Sequence, residues 1–339
     1  MVALSEYESI KQILSEFDGI TNEEAYANIF ARRMMKPIPG TSGEFYGCNH
    51  RIDMLPFIQS LITNIPKGGE IFDVGAGAGD VVDFALKDAP MGTVVNIEEP
   101  NASLINSYIM KLKNYNNLHP GITYGGYLQD YYQETKNAIL PKQPQSLILA
   151  MHMIYHLTDF THQNIQPEKD IIDAFTFLYE LLAPGGSIFI AYADLLDSET
   201  GIAVCGLAEK YFREYYPKGC YADNLISIYK ARNKILGPKG LIKNHLTERF
   251  PGINISFRSE RRMCHFFGKS KADIAVLALA TELCSSDSDL FDLTKLQFCL
   301  NYILQYSSQI GLQKEMGNVP QKGLWRANEP HVIAIITKE

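Results

Sequence analysis

Over roughly the first 65 residues the apolar positions keep a helical spacing. Ile10, Ile13, Leu14 and Phe17 recur at three- and four-residue intervals, which predicts a helix over 5–17. A second helix is predicted over 22–34, broken by Pro37, Pro39 and Gly40, and a third over 52–62. After Pro66-Lys67-Gly68-Gly69 the pattern becomes short apolar runs alternating with helical stretches. Strands are predicted over 70–74, 93–97, 122–124, 146–151 and 187–191, with helices over 80–86, 102–112 and 169–182 between them. This alternation predicts an α/β fold built on a doubly wound, mostly parallel sheet. The second half is less regular. Helices are predicted over 203–216, 222–235, 271–284 and 295–307, and strands over 253–257 and 331–337. No internal repeat or low-complexity linker interrupts the chain.

Composition narrows the classes. Of the 339 residues 46% are hydrophobic and 20% charged, an ordinary globular balance that suits one large domain with additions or two domains. The formal net charge is −7 and the densest basic knot is short (Arg258, Arg261, Arg262, Lys269, Lys271), so a nucleic-acid partner is not expected. Six cysteines (Cys48, Cys205, Cys220, Cys264, Cys284, Cys299) are far apart and show neither CxxC nor Cys/His ligand spacing. They read as free thiols, with no metal site and no disulfide framework. The first residues lack a basic stretch followed by an apolar one, and no apolar run reaches membrane-spanning length. A cytoplasmic protein without a membrane segment is expected.

Candidate chemistry starts at Asp73-Val74-Gly75-Ala76-Gly77-Ala78-Gly79, where the first predicted strand meets a helix. Glycines there permit positive φ and a close backbone approach by a ligand at a helix N-terminus. A P-loop needs Lys-Ser or Lys-Thr after the last glycine, and Asp80-Val81 stands there instead. A dinucleotide site prefers Gly-x-Gly-x-x-Gly, while the spacing here is Gly75, Gly77, Gly79. Asp73 repels phosphates but attracts the sulfonium and amino group of S-adenosylmethionine (SAM). A tight structural turn is the alternative. About twenty residues on, Val94-Val95-Asn96-Ile97-Glu98-Glu99-Pro100-Asn101 places a carboxylate where nucleotide-binding α/β folds hold a ribose diol. Glu98 and Glu99 compete for that role. Glu99 suits it better because it directly precedes Pro-Asn, leaving Glu98 as a solvated neighbour.

Two more loops fall at the same sheet edge. Gln129 and Asp130 follow the third strand, placed to hydrogen-bond an adenine amino group. Met151-His152-Met153-Ile154-Tyr155-His156 follows the fourth, at the edge where open α/β sheets bind ligands. His152 there reads either as a structural hydrogen-bonder or as a site residue.

On these residues, together with Leu181-Leu182-Ala183-Pro184-Gly185-Gly186, the span from about 66 to 195 resembles the class I, seven-stranded SAM-dependent methyltransferases. The wider layout is similar to the histamine N-methyltransferase family. That family has a helical N-terminal region, Glu-Pro-Ser after strand two, a glutamine followed by Met-Leu-Tyr-Tyr after strand four, and a substrate-contacting Asn before the last strand. Glu99-Pro100-Asn101, His152 to His156, and Asn328 match those places. His152 stands where the family has glutamine, and Asn28 where it has the glutamate that holds the substrate cation.

The resemblance implies a SAM cofactor, with S-adenosylhomocysteine as product, held by Asp73, Gly75, Ala76, Gly77, Gly79, Glu99, Pro100, Gln129, Asp130 and Met151. It implies a small-molecule amine or hydroxyl acceptor contacted by Asn28, His152, Tyr155 and Asn328, with His152 or His156 as base. In domain terms it implies a helical cap over 1–65 and a cofactor domain over 66–339, carrying helical insertions at about 203–235 and 265–315. A protein methyltransferase and a non-catalytic SAM-binding interaction protein are the alternatives.

Overall fold

The computed structural model describes residues 4–16, 18–21, 24, 36–37, 45–48, 50–137, 143–159, 161–194, 196, 198–217, 219–282, 293–317 and 321–339. The predicted helix over 22–34 and the Asn28 assignment lie outside the described residues. The chain divides into two compact units. One comprises residues 1–53, 194–226 and 263–330, the other 54–193, 227–262 and 331–339.

The second of these carries the sheet. Its strands are β1 (Glu70–Val74), β2 (Thr93–Glu98), β3 (Leu118–Tyr124), β4 (Gln145–Met151), β5 (Leu182–Ala193), β6 (Ile255–Gly268) and β7 (Trp325–Lys338), the last two with residues 255–262 and 331–338 in this unit. They lie side by side in the order β6-β7-β5-β4-β1-β2-β3. Pairings from β3 through β5 are parallel, and β7 runs antiparallel to β5 with His331 opposite Ala193. The expected seven-stranded, mostly parallel α/β sheet is therefore present, and its winding reverses between β1 and β4.

Strands buried on both faces have to be apolar along their length, and Ile71, Val74, Val95, Ile97, Leu147 to Ala150 and Ile188 to Tyr192 are sealed from solvent. β3 is the exposed edge. A register shift between Val95 and Ile97 leaves the Ile122 amide to bond the Asn96 side chain at 2.8 Å. Before the shift, Thr93 to Val95 pair with Leu118 to Pro120, which is why β3 runs back to Leu118. β5 likewise absorbs the Pro184-Gly185-Gly186 segment, read from sequence as a helix end, as an irregularity between Leu182 and Ser187. A helix over Ile242–Arg249, absent from the sequence reading, adds Ile242 and Leu246 to the core.

The other unit is mainly helical. Leu4–Ser15 packs against Lys271–Glu282 and Leu293–Gln305, and the latter against Glu199–Tyr215. Short strands at Phe45–Cys48 and Gln313–Lys314 pair with residues 266–267 and 325–326 respectively. Cys205, Cys220, Cys264 and Cys299 are free thiols. Among the described residues no helix is long and apolar enough to cross a membrane.

Candidate functional site

The turn after β1 is shaped by what surrounds it. Gly75, Gly77 and Gly79 have φ of 62°, 57° and 72°, the left-handed region that side chains disfavour. A Cβ on Gly75 would stand 2.7 Å from the Cβ of Met153, on the loop after β4. One on Gly79 would stand 2.6 Å from the Tyr108 ring. Tyr108 in turn donates to the buried Asp73 carboxylate at 2.8 Å, so the helix Ala102–Leu112 is keyed to the turn from below. At Gly77 a Cβ would meet nothing within 4 Å, which leaves room at the middle of the turn. The following helix, Asp80–Phe84, opens on a second buried carboxylate, Asp80, paired with Lys111 at 2.8 Å.

Two acids at the end of β2 reach the same turn. The Gly77 amide donates to Glu99 Oε2 at 2.8 Å and the Asn101 amide to Glu99 Oε1 at 2.9 Å. Asn101 itself caps Ala102–Leu112, accepting from the Ser103 and Leu104 amides, while Pro100 is exposed. The Gly75 amide donates to Glu98 Oε2 at 2.8 Å, and the Ala76 amide to the Glu98 carbonyl at 3.0 Å. Glu98 is only 3% exposed, which corrects the reading of it as a solvated neighbour. Burial raises its carboxyl to about 8 against the pull of the Gly75 N–H, with the charges of Glu99 and Asp73 adding to the rise. Burial also raises Glu99, opposed by its two backbone donors.

The loops after β3 and β4 meet each other. Gln129 and Asp130 are exposed on the helix Leu128–Lys136, and the Gln129 amide donates to the carbonyls of His156 and Leu157 at 3.1 and 2.8 Å. Met151 is buried at the end of β4. His152, next in the chain, has φ 58° while its N–H still bonds the Ala191 carbonyl at 2.8 Å. The twist places its ring edge-on to His331, with centroids 5.0 Å apart. His331, fully buried, is a residue the sequence reading treated only as the start of a strand. His156 is exposed in the short turn Ile154–His156, which also holds Tyr155. Asn328 belongs to the other unit, its amide N–H bonded to the Ile310 carbonyl at 2.8 Å.

A non-glycine residue in the left-handed region costs about 1 kcal/mol, and such outliers cluster at functional sites. His152→Gly is therefore expected to be more stable than His152→Ala by about that amount, because both lose the ring but only alanine keeps the strain. Urea unfolding of the two variants checks this; an alanine variant as stable as the glycine one would remove the strain from the account.

No family model matches the chain, and no curated protein does. Among solved structures, it is similar to a putative methyltransferase from Bacillus halodurans C-125 (10% identity, 84% of this chain, 99% of that one, TM-score 0.43). A SAM-dependent methyltransferase from Geobacter sulfurreducens, solved with S-adenosyl-L-homocysteine, gives 10% identity over 94% of this chain and 99% of that one (TM-score 0.44). A phosphoethanolamine N-methyltransferase 2 from Haemonchus contortus, solved with S-adenosyl-L-methionine, gives 14% over 96% and 60% (TM-score 0.45).

Proposed function

We propose that the chain is a SAM-dependent methyltransferase acting on a small molecule with an apolar body and an amine head. The observation that carries the donor is the turn at 75–79 with Asp73, Glu98 and Glu99 gathered around it. A cradle with room at Gly77 and a surplus of negative charge fits a cationic adenosyl sulfonium and disfavours a pyrophosphate. Glu99 accepts two backbone N–H groups, and a carboxylate has capacity left for a ribose diol.

When bound, SAM supplies a methyl group on a positively charged sulfur that leaves readily. The residues of the chain then have to hold the acceptor in line and keep water out. His152, which precedes the Met153 that packs on Gly75, is the proposed base. An imidazole titrates near neutrality and suits removal of a proton from an ammonium or hydroxyl group.

The acceptor reading rests on a small cavity within the helical unit. Its walls are apolar, from Leu207, Phe266, Ile274, Ile303 and Ile310 among others, and its polar residues are Asn328, Glu329 and Tyr302. The Tyr302 hydroxyl is committed to the Ala203 carbonyl at 2.6 Å. The Asn328 Oδ1 is buried with no hydrogen-bond partner among the described residues, and Glu329 is 4% exposed. An unpaired acceptor in an apolar pocket calls for a ligand that brings a donor, and an amine head answers it.

The test is transfer from methyl-labelled SAM to a panel of hydrophobic primary amines and their matched alcohols. Label is expected on amines, and Asn328→Leu is expected to raise KM for them about tenfold with SAM affinity unchanged. Label on alcohols alone would replace the amine reading with a hydroxyl one. Label on an added protein substrate alone would favour a protein methyltransferase, and SAM binding without transfer to any acceptor would favour an interaction protein.

A further inference from the structure

Asp73, Glu98 and Glu99 put three carboxylates around one five-residue turn. Each has a built-in donor: Tyr108 for Asp73, the Gly77 and Asn101 amides for Glu99, and the Gly75 amide for Glu98. All three are more than nine-tenths buried. The groups facing Glu98 are Asp73 from β1, Glu99 next to it on the chain, and the Tyr124 phenol at the end of β3. None of these is cationic. Like charges gathered in a poorly solvated pocket disfavour one another's ionised forms.

We propose that Glu98 is a second cofactor-site carboxylate that holds a proton in the ligand-free protein and releases it as the sulfonium cofactor binds. The O–H bond of the carboxylic acid breaks, the electron pair stays on the carboxylate, and the proton goes to solvent. Arrival of a cation offsets the burial that, with repulsion from Glu99 and Asp73, keeps the proton in place. The carboxyl's rise to about 8 puts that proton on Glu98 at neutral pH. Adjacent acids at the end of β2 thus divide the work: Glu99 for the ribose, Glu98 for charge balance. The inference rests on the SAM reading above but is separable from it, because cofactor binding and proton release are read independently.

Calorimetry of SAM binding at pH 7 in buffers of different ionisation enthalpy counts the protons. The wild type is expected to release close to one proton more than Glu98→Gln, about 0.9 for a group titrating near 8. The ligand's own amino group contributes equally to both proteins and cancels in the difference. S-adenosylhomocysteine, whose sulfur is neutral, is expected to release less than SAM from the wild type. The wild-type release is also expected to fade above about pH 9, where Glu98 is already ionised. Equal release from wild type and Glu98→Gln overturns the proposal. If Glu98→Gln does not fold, a wild-type proton count flat from pH 6 to 9.5, or equal for SAM and S-adenosylhomocysteine, overturns it. Failure of SAM to bind at all sinks the donor reading instead.

Discussion

Gly75→Val is expected to abolish SAM binding, with affinity falling at least ~100-fold in calorimetry. Two effects act together. The residue has φ 62°, which a β-branched side chain tolerates least, at a cost of about 1–3 kcal/mol. The new Cβ would also overlap the Cβ of Met153 at 2.7 Å, and neither atom is the far end of a flexible side chain. Relief requires the turn to part from the loop after β4, opening the switch point where ligands of doubly wound sheets bind. Binding measured on protein shown to be folded by circular dichroism separates this from global unfolding. Unchanged affinity in the valine variant would mean that the ligand does not sit on this turn.

The ligand-free protein is expected to lose stability as pH rises from about 5 to 8, with Glu98 a main cause. Its carboxyl lies near 8 in the folded chain and near 4.5 when unfolded. Between those values the folded state holds a proton that the unfolded state has lost, so raising pH favours unfolding; above about 8 the contribution levels off. The separation bounds the effect at roughly 5 kcal/mol, since each unit is worth about 1.4 kcal/mol. Glu98→Gln removes this slope and is expected to be more stable than the wild type at pH 9. Glu99, also raised by burial, leaves a residual slope of the same sign. Urea unfolding at pH 5.5, 7 and 9 measures both proteins, and parallel slopes would contradict the assignment.

Where local pattern and burial agreed, the fold was legible in the sequence. β1 and the helix Ala102–Leu112 have the predicted bounds because each is bracketed by its own stop signals, the glycine turn in one case and the Asn101 cap in the other. The misses have a common physical origin in pairing between distant residues. Pro184-Gly185-Gly186 looks like a terminator, yet the partner β4 lets β5 continue across it. β6 runs to Gly268 through Arg258, Glu260, Arg261 and Arg262, a polar stretch in which no apolar run marks a strand. The helix Ile242–Arg249 has a single apolar pair, Ile242 and Leu246, behind a Gly-Pro-Lys-Gly segment that reads as loop.

For the site, the glycine turn and Glu99 were readable because their chemistry follows from spacing. Glu98 was not: neighbouring residues on a strand face opposite ways, and only the internal position of β2 shows that both faces are covered. His331 was missed for a similar reason, since its nearness to His152 depends on the antiparallel return of β7 beside β5.

The central claim is that SAM is held on the turn at 75–79. A crystal structure with S-adenosylhomocysteine tests it most directly. The ribose hydroxyls are expected within hydrogen-bond distance of the Glu99 carboxylate, with the ligand passing over Gly77. A ligand bound elsewhere, or at this turn with Glu99 out of reach of the ribose, would contradict it.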